Sequence, residues 1–199
     1  MVEPVYSTDS FTPVSRRGPY RSDDYFALPD EPRCELLFGR FYMVPSPDVR
    51  HQSLVVALVR VLDDAARRDG GKALCAPMDV VLGEHTVVQP DVLYVSPERM
   101  HIIRDRVRGA PDLVIEILSP GTSRRDRGAK MLAYAEAGVA EYWIVDPVAQ
   151  QIEFLVNEGT SFTVAVPCDD IYESPKVAGI RLDIARLWTD VSPVPRRES

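Results

Sequence analysis

The sequence "DLVIEILSPGTSRRDRGAKM", residues 112–131, decides the fold because it joins a strand pattern directly to a helical one. Its first part is an apolar run interrupted by one acid, Glu116, and this run predicts a buried β-strand. A Thr or Ser cap follows, and apolar residues then recur at helical spacing as far as Gly138, which predicts a helix. An ionised carboxylate is costly to bury among apolar side chains. Glu116 therefore requires a partner that stabilises its charge.

Patterns that precede this stretch predict a hairpin, a helix and two strands. "CELLFGRFYMV", residues 34–44, contains two short strand patterns around a glycine, which is typical of a β-hairpin. Residues 46–71 carry apolar residues at helical spacing and end in Gly-Gly, so they predict a helix capped by Ser46 or Asp48. The two predicted strands are "ALCAPMDVVL" over 73–82 and "TVVQPDVLYV" over 86–95.

Patterns that follow Gly138 complete the predicted domain. "EYWIVDP", residues 141–147, predicts a strand, and "QIEFLVN" with "FTVAVP" predicts an antiparallel extension. The order of the core is therefore helix, three strands, helix, strand. The fold class is α/β with a mixed sheet, an N-terminal hairpin and a C-terminal antiparallel extension. We expect one domain over residues 23–190, with flexible segments at 1–22 and 191–199.

Composition narrows the class of protein. The net charge of −7 argues against a protein that coats nucleic acid through its overall field, although a local basic groove stays open. No apolar run approaches the roughly 20 residues that span a bilayer, and no signal peptide is recognisable, so we expect a cytoplasmic protein without membrane contact. The three cysteines are widely spaced and favour neither a disulfide framework nor a zinc site.

Two acids on predicted strands are the candidate metal ligands. Strand alternation places Asp91 on one face with Leu93, and Glu116 on one face with Leu118. If the two strands are neighbours, the carboxylates lie close enough to share a hard divalent cation, which removes their repulsion and their desolvation cost. The alternatives are that Asp91 belongs to a turn after a proline, and that Glu116 pairs with an arginine.

Lys130 lies 14 residues after Glu116 on the predicted second helix. A helix that packs back on the strand it follows can direct this amine toward the same carboxylates. There it would orient an attacking water and stabilise negative charge in a phosphoryl transition state. The alternative is a solvated lysine that pairs with Asp126 one helical turn away.

Three blocks of sequence closely resemble the Uma-two family of bacterial proteins, within the PD-(D/E)XK superfamily of nucleases. They are "CELLFGRFYMVPSPDVRHQ", "VVQPDVLYVSPERM" and "RGAPDLVIEILSPGTSRRDRGAKMLAYAEAGVAEYWIVDP", and the resemblance runs from about Tyr25 to Trp188. It implies a restriction-endonuclease-like core and hydrolysis of phosphodiester bonds, with DNA as the expected partner and Mg²⁺ or Mn²⁺ as cofactor. Carried across, Asp91 and Glu116 are the acidic ligands, and the carbonyl of Ile117 is a further metal ligand.

The chain departs from the superfamily pattern at one position. The lysine expected two residues after the glutamate is here Leu118. The resemblance suggests that Lys130 on the following helix replaces it. The three catalytic residues are then Asp91, Glu116 and Lys130.

Four other polar residues match the family pattern or lie near the predicted site. Glu35 would bind the metal through water or hold Lys130. His51 would order a water or contact phosphate, with helix capping or a core position as the alternative. Gln89 would fix a carboxylate through its amide, or it is an ordinary strand glutamine. Asp79 either belongs to the same polar cluster or simply ends a strand.

Two arginine clusters flank the strand that carries Glu116, and they would contact phosphates at the mouth of the site or remain solvated. The arginines are Arg104, Arg106 and Arg108 in "RDRVRG", and Arg124, Arg125 and Arg127 in "SRRDRG".

Nucleases of this type often act as dimers, and the antiparallel strands after residue 147 offer an edge for a homodimer.

These observations support two hypotheses. The first is a metal-dependent endonuclease that uses Asp91, Glu116 and Lys130. The second is a nuclease-fold protein that no longer cleaves and serves as a nucleic-acid-binding or protein-interaction module. Leu118 and the acidic balance favour the second hypothesis, and retention of both acids favours the first.

Overall fold

The structure is a computed structural model that describes residues 17–29, 31–119 and 123–191. Most of the predicted flexible segment 1–22 and nearly all of 191–199 lie outside these described residues. Within them, no helix combines the length and the apolar character needed to cross a membrane.

Two β-sheets organise the described residues, and a third sheet of two strands lies toward their C-terminal end. The first sheet has the strand order β2-β1-β5-β4-β7. Its strands are β1 (Cys34–Leu37), β2 (Arg40–Met43), β4 (Val80–Gly83), β5 (Thr86–Val88) and β7 (Val107–Arg108). The second sheet has the order β11-β10-β9-β8-β6-β3. Its strands are β3 (Lys72–Cys75), β6 (Val92–Val95), β8 (Leu113–Ile117), β9 (Glu141–Asp146), β10 (Gln151–Asn157) and β11 (Phe162–Ala165).

The second sheet is covered on both faces. The short helix α1 (Ser22–Phe26) precedes the sheets in the chain. Helix α2 (Val49–Asp69) packs on one face of the second sheet through buried residues that include Leu54, Leu58 and Leu62. It starts at Asp48, whose side chain accepts a hydrogen bond from the backbone N–H of His51, and it ends at Gly70 in the left-handed region. The opposite face packs on the first sheet and on the helix over residues 123–137. The predicted core order of helix, three strands, helix and strand is confirmed.

The prediction of single strands over 73–82 and 86–95 is wrong, because each of these segments divides between the two sheets. The first gives β3 in the second sheet and β4 in the first, and it breaks around Pro77. The next gives β5 and β6 and breaks around Pro90. Proline has no N–H to donate to a strand ladder, so a proline inside a strand pattern signals such a break. The core strands are therefore β3, β6 and β8, with the β4–β5 pair inserted between them.

The helix over residues 123–137 contains a π turn. It begins as α3 (Ser123–Arg125), passes through the π turn Asp126–Lys130 and continues as α4 (Met131–Ala137). A π turn adds one residue to the helix and leaves backbone groups to be satisfied elsewhere. Here the hydroxyl of Tyr142 on β9 donates to the carbonyl oxygen of Asp126 at 3.1 Å. The turn places Asp126 and Lys130 in the interior.

Glu141 on β9 joins the C-terminal strands β12 (Ile171–Glu173) and β13 (Arg181–Asp183), with helix α5 (Ile184–Val191), to the second sheet. Its carboxylate is fully buried and accepts from Trp143 Nε1 at 3.1 Å and from the Tyr172 hydroxyl at 2.9 Å. It also accepts from the hydroxyl of Ser174 and the backbone N–H of Lys176. The strand pattern of "EYWIVDP" did not reveal this buried carboxylate.

Candidate active site

Asp91 and Glu116 lie side by side at the ends of neighbouring strands. Strands β6 and β8 are antiparallel with Val92 opposite Ile115, so the residue before Val92, Asp91, falls opposite Glu116. Asp91 Oδ2 accepts a hydrogen bond from the backbone N–H of Ile117 at 2.7 Å. Both acids line a cleft of about 230 Å³, as does Ile117. The structure therefore brings together the three predicted metal ligands.

Lys130 lies at the floor of this cleft between acids of the two sheets. Its Nζ is 2.8 Å from Glu116 Oε1 of the second sheet and 2.8 Å from Glu35 Oε1 of the first. Asp126 Oδ1 is 3.8 Å away. The lysine side chain is 5% exposed, so the alternative of a solvated surface pair with Asp126 is wrong. Glu35 holds Lys130, which is one of its two predicted roles.

Burial dominates the electrostatics of these groups. It raises the pKa of Asp91 to about 7, and the backbone hydrogen bond from Ile117 and the charge of Lys130 offset only part of this effect. Burial also raises the pKa of Glu116 well above its ordinary value, against the opposing charge of Lys130. For Lys130 itself, burial would lower the pKa, but the nearby carboxylates outweigh it and raise the pKa. The cluster therefore holds more carboxylates than its single ammonium can neutralise.

His51 reaches the site from the first turn of α2. Its Nε2 is 3.2 Å from Asp91 Oδ2. Burial lowers the pKa of His51, with Asp48 opposing, so the ring is neutral at pH 7. In the tautomer with the proton on Nε2, the ring donates to Asp91 and holds that carboxylate in place.

Gln89 and Asp79 form a polar chain beside the acids. The backbone N–H of Gln89 donates to Glu35 Oε1 at 2.8 Å, so the main chain of Gln89 fixes this carboxylate. Its amide nitrogen donates to Asp79 Oδ1 at 3.0 Å, so the predicted contact of the amide with a carboxylate is made to Asp79. Asp79 also accepts from the hydroxyl of Tyr25 at 2.8 Å and does not line the cleft. Asp79 therefore supports the site only through Gln89.

Of the six predicted arginines, only Arg125 lines the cleft. Its Nη1 donates to the carbonyl oxygen of Met43 at 3.0 Å, and its Nε is 4.0 Å from Glu35 Oε2. The other five lie outside the cleft. Arg104 and Arg124 are exposed, and Arg127 pairs with Glu153. Arg106 and Arg108 both pair with Asp105, and Arg106 also stacks over Phe26.

Arg33 also lines the cleft and was missed from the sequence. It lies two residues before Glu35, and alternation along a strand puts such residues on one side. This spacing is the signal that would have found it.

The oxygen atoms of the cleft suit a hard cation. Asp91 and Glu116 are oxygen donors of the kind that Mg²⁺ and Mn²⁺ prefer. Glu35 Oε2 is buried and has no hydrogen-bond partner among the described residues, which is costly for a carboxylate oxygen. Across those residues no three His, Cys, Asp or Glu side chains converge as ligands for one metal ion. The residues present fit a cation held by two carboxylates, the mode common for Mg²⁺.

A mixed sheet with two acids on adjoining strands and a lysine from the next helix defines a nuclease-like α/β fold. The chain belongs to the Uma2 family, described as "Putative restriction endonuclease", whose family model matches residues 22–185. The predicted resemblance is thereby confirmed.

A solved structure shows the same fold. It is a putative nuclease belonging to DUF820 from Anabaena variabilis, 22% identical in sequence, and the match covers 87% of this chain and 100% of that chain with a TM-score of 0.73. No curated protein matches this chain.

Proposed function

We propose that this chain is a metal-dependent endonuclease that hydrolyses phosphodiester bonds of DNA. The observation that carries the proposal is the convergence of Asp91, Glu116 and Lys130 on one cleft, with Nζ of the lysine 2.8 Å from the glutamate. Membership of the family described as "Putative restriction endonuclease" supports the reaction class.

Asp91 and Glu116 would hold the cation, with the carbonyl oxygen of Ile117 as a further ligand. Mg²⁺ commonly takes only one or two protein carboxylates and fills its remaining positions with water and substrate phosphate. When bound, the ion would supply a Lewis acid for the phosphate and lower the pKa of a coordinated water. His51 keeps Asp91 oriented for this task, as hydrogen-bond partners of metal ligands generally do.

The superfamily pattern places a lysine where this chain has Leu118, and Lys130 supplies the positive charge instead. Its ammonium is fixed by Glu35 and Glu116 at the floor of the cleft. A charge that is already oriented needs no reorganisation when negative charge develops on the phosphate, so it favours the transition state. We assign Lys130 this role and infer that it also orients the attacking water.

Arg125 and Arg33 are the groups that would contact the phosphates of DNA at the site, because both line the cleft. Charge-assisted hydrogen bonds from arginine to phosphate are among the stronger polar contacts. In a protein with a net charge of −7, such local contacts have to overcome long-range repulsion from DNA.

Cleavage of plasmid and linear DNA in the presence of Mg²⁺ or Mn²⁺ tests the proposal. We expect cleavage that EDTA abolishes and that falls by about a hundredfold or more in Asp91→Asn and in Glu116→Gln. A matched control is Glu173→Gln, an exposed acid that pairs with Arg181 on the C-terminal strands. Wild-type protein that cuts no DNA with either ion, or full activity in both site variants, would overturn the proposal.

The second candidate function is a DNA-binding module that no longer cleaves. Leu118, buried and apolar where the superfamily carries a lysine, favours it. Calorimetry with Mn²⁺ discriminates between the candidates, since a module that only binds DNA has no need of the cation. DNA binding without Mn²⁺ binding and without cleavage would establish the second candidate.

A further inference from the structure

Among the residues that the structure describes, two groups donate hydrogen bonds to the carboxylate of Glu116, and both reach the same oxygen. Lys130 Nζ donates to Oε1 at 2.8 Å, and the hydroxyl of Tyr134 donates to Oε1 at 2.6 Å. Neither contact uses Oε2. Within the described part of the chain, the second oxygen of Glu116 is therefore the one left for a ligand in the cleft.

Lys130 alone is a poor means of fixing Glu116, because several acids share its ammonium. Glu35 lies as close to Nζ as Glu116 does, and Asp126 is 3.8 Å away. Tyr134 differs in that its hydroxyl donates to Glu116 alone among the described residues. It also adds no charge, so it orients the carboxylate without neutralising it.

The ring of Tyr134 is held in place on all sides. It is 0% exposed, and the ring of Tyr142 packs against it at a centroid distance of 4.9 Å. Tyr134 follows Lys130 by four residues, so both side chains lie on one face of the helix. The helix thus presents a charged and a neutral donor to a single oxygen.

We propose that Tyr134 is a positioning residue of the site, whose hydroxyl fixes Oε1 of Glu116 and leaves Oε2 to bind a divalent cation. This inference rests on the proposed function. Removal of a hydrogen-bond partner of a metal ligand typically weakens metal affinity by about 10- to 100-fold. We expect a loss of that size for Tyr134→Phe, which removes only the hydroxyl.

Tyr172→Phe is the matched control. The hydroxyl of Tyr172 also donates to a buried carboxylate, that of Glu141, at 2.9 Å. Glu141 joins the C-terminal strands to the sheet and does not line the cleft. The control therefore removes the same kind of hydrogen bond at a place where no metal is proposed.

The test is a calorimetric titration of the full-length metal-free proteins with Mn²⁺, followed by DNA cleavage over a range of Mn²⁺ concentrations. We expect the Kd for Mn²⁺ to rise by about 10- to 100-fold in Tyr134→Phe and to stay unchanged in Tyr172→Phe. We also expect excess Mn²⁺ to restore cleavage by Tyr134→Phe, which it would not do for a merely misfolded variant.

Two results would overturn the inference while the proposed function stands: an unchanged Kd for Mn²⁺ in Tyr134→Phe, or an equal loss of affinity in both variants. Wild-type protein that neither binds Mn²⁺ nor cuts DNA would instead overturn the proposed function, and the inference with it.

Discussion

Replacement of Lys130 by methionine tests the electrostatic description of the site most directly. The substitution keeps most of the volume of the side chain but removes the ammonium that Glu35 and Glu116 share at 2.8 Å each. With an effective dielectric constant of about 20, each of these contacts is worth about 6 kcal/mol of Coulomb attraction before desolvation is subtracted. The net cost of removing one partner from a buried ion pair is about 3–5 kcal/mol. We expect a loss of this size in the free energy of unfolding at pH 8.

The loss should depend on pH in a defined direction. Without Lys130, the buried carboxylate of Glu116 is more stable as a neutral acid, so its pKa in the folded variant lies above that in the unfolded chain. A folded state that binds extra protons is stabilised at low pH and loses that stability as pH rises. The loss at pH 5 should therefore be only about 1–3 kcal/mol, the scale of the hydrogen bonds removed.

Urea denaturation followed by the fluorescence of Trp143 and Trp188 measures these quantities, with EDTA present to exclude metal. Lys176→Met is the matched control, because its lysine is 38% exposed and only 3.7 Å from the exposed Glu158. That surface pair should contribute at most about 1 kcal/mol. A Lys130→Met variant within about 1 kcal/mol of wild type at pH 8, or a loss that does not change with pH, would refute the reasoning.

Three further predictions follow from the site and the sheet edge. Metal-free Asp91→Asn should gain about 2–4 kcal/mol of stability relative to wild type by pH 8 and little at pH 4. The reason is that burial raises the pKa of Asp91 to about 7, so wild type loses the stabilising contribution of the protonated carboxyl group as pH rises toward that value. Urea midpoints across this pH range measure the gain. Arg125→Ala should weaken DNA binding and lower the magnitude of its salt-dependence slope by about 1, because Arg125 lines the cleft. Arg127→Ala, which removes the partner of Glu153, should change neither quantity. Fluorescence anisotropy at several salt concentrations measures both, and equal effects of the two variants would contradict the assignment of Arg125 to the phosphate contacts. We expect light scattering to show a homodimer for the wild-type protein and a monomer for Val164→Lys. Val164 is exposed on the edge strand β11, and a charge on an exposed edge opposes strand pairing. A dimer of the Val164→Lys variant would exclude this edge as the dimer interface.

Local sequence patterns predicted the proximity of the two acids well, because the pairing of neighbouring strands brings residues on the same face of each strand together. Glu116 stood out as the only charged residue in its apolar run, and antiparallel pairing of β6 with β8 places Asp91 opposite it. The approach of Lys130 was predicted as one of two alternatives, since a helix that follows a strand packs back on it. The catalytic roles of all three residues stay predictions.

Contacts between the two sheets were missed, because they depend on where the chain changes sheet. Pro77 and Pro90 mark two of these changes, and treating them as strand breaks would have divided the two predicted strands. The π turn of Asp126–Lys130 has no recognised sequence signal, and neither has the choice of Tyr134 as donor to Glu116. The arginine clusters looked suitable by sequence proximity alone, but β7 lies at the far edge of the first sheet and takes Arg108 away from the cleft.

The site takes its acidic residues from both sheets, and this determines when the site can form as the chain is synthesised and folds. Glu35 comes from the first sheet, whereas Asp91 and Glu116 belong to the second, and Lys130 is the last of the four in the chain. A nascent chain shorter than 130 residues carries the acids without their ammonium, and a chain whose sheets have not yet packed has no cleft. The complete constellation thus arises only in the finished tertiary structure. Under the proposed function, a ribosome-bound or partly folded form of this protein is therefore expected to leave DNA uncut.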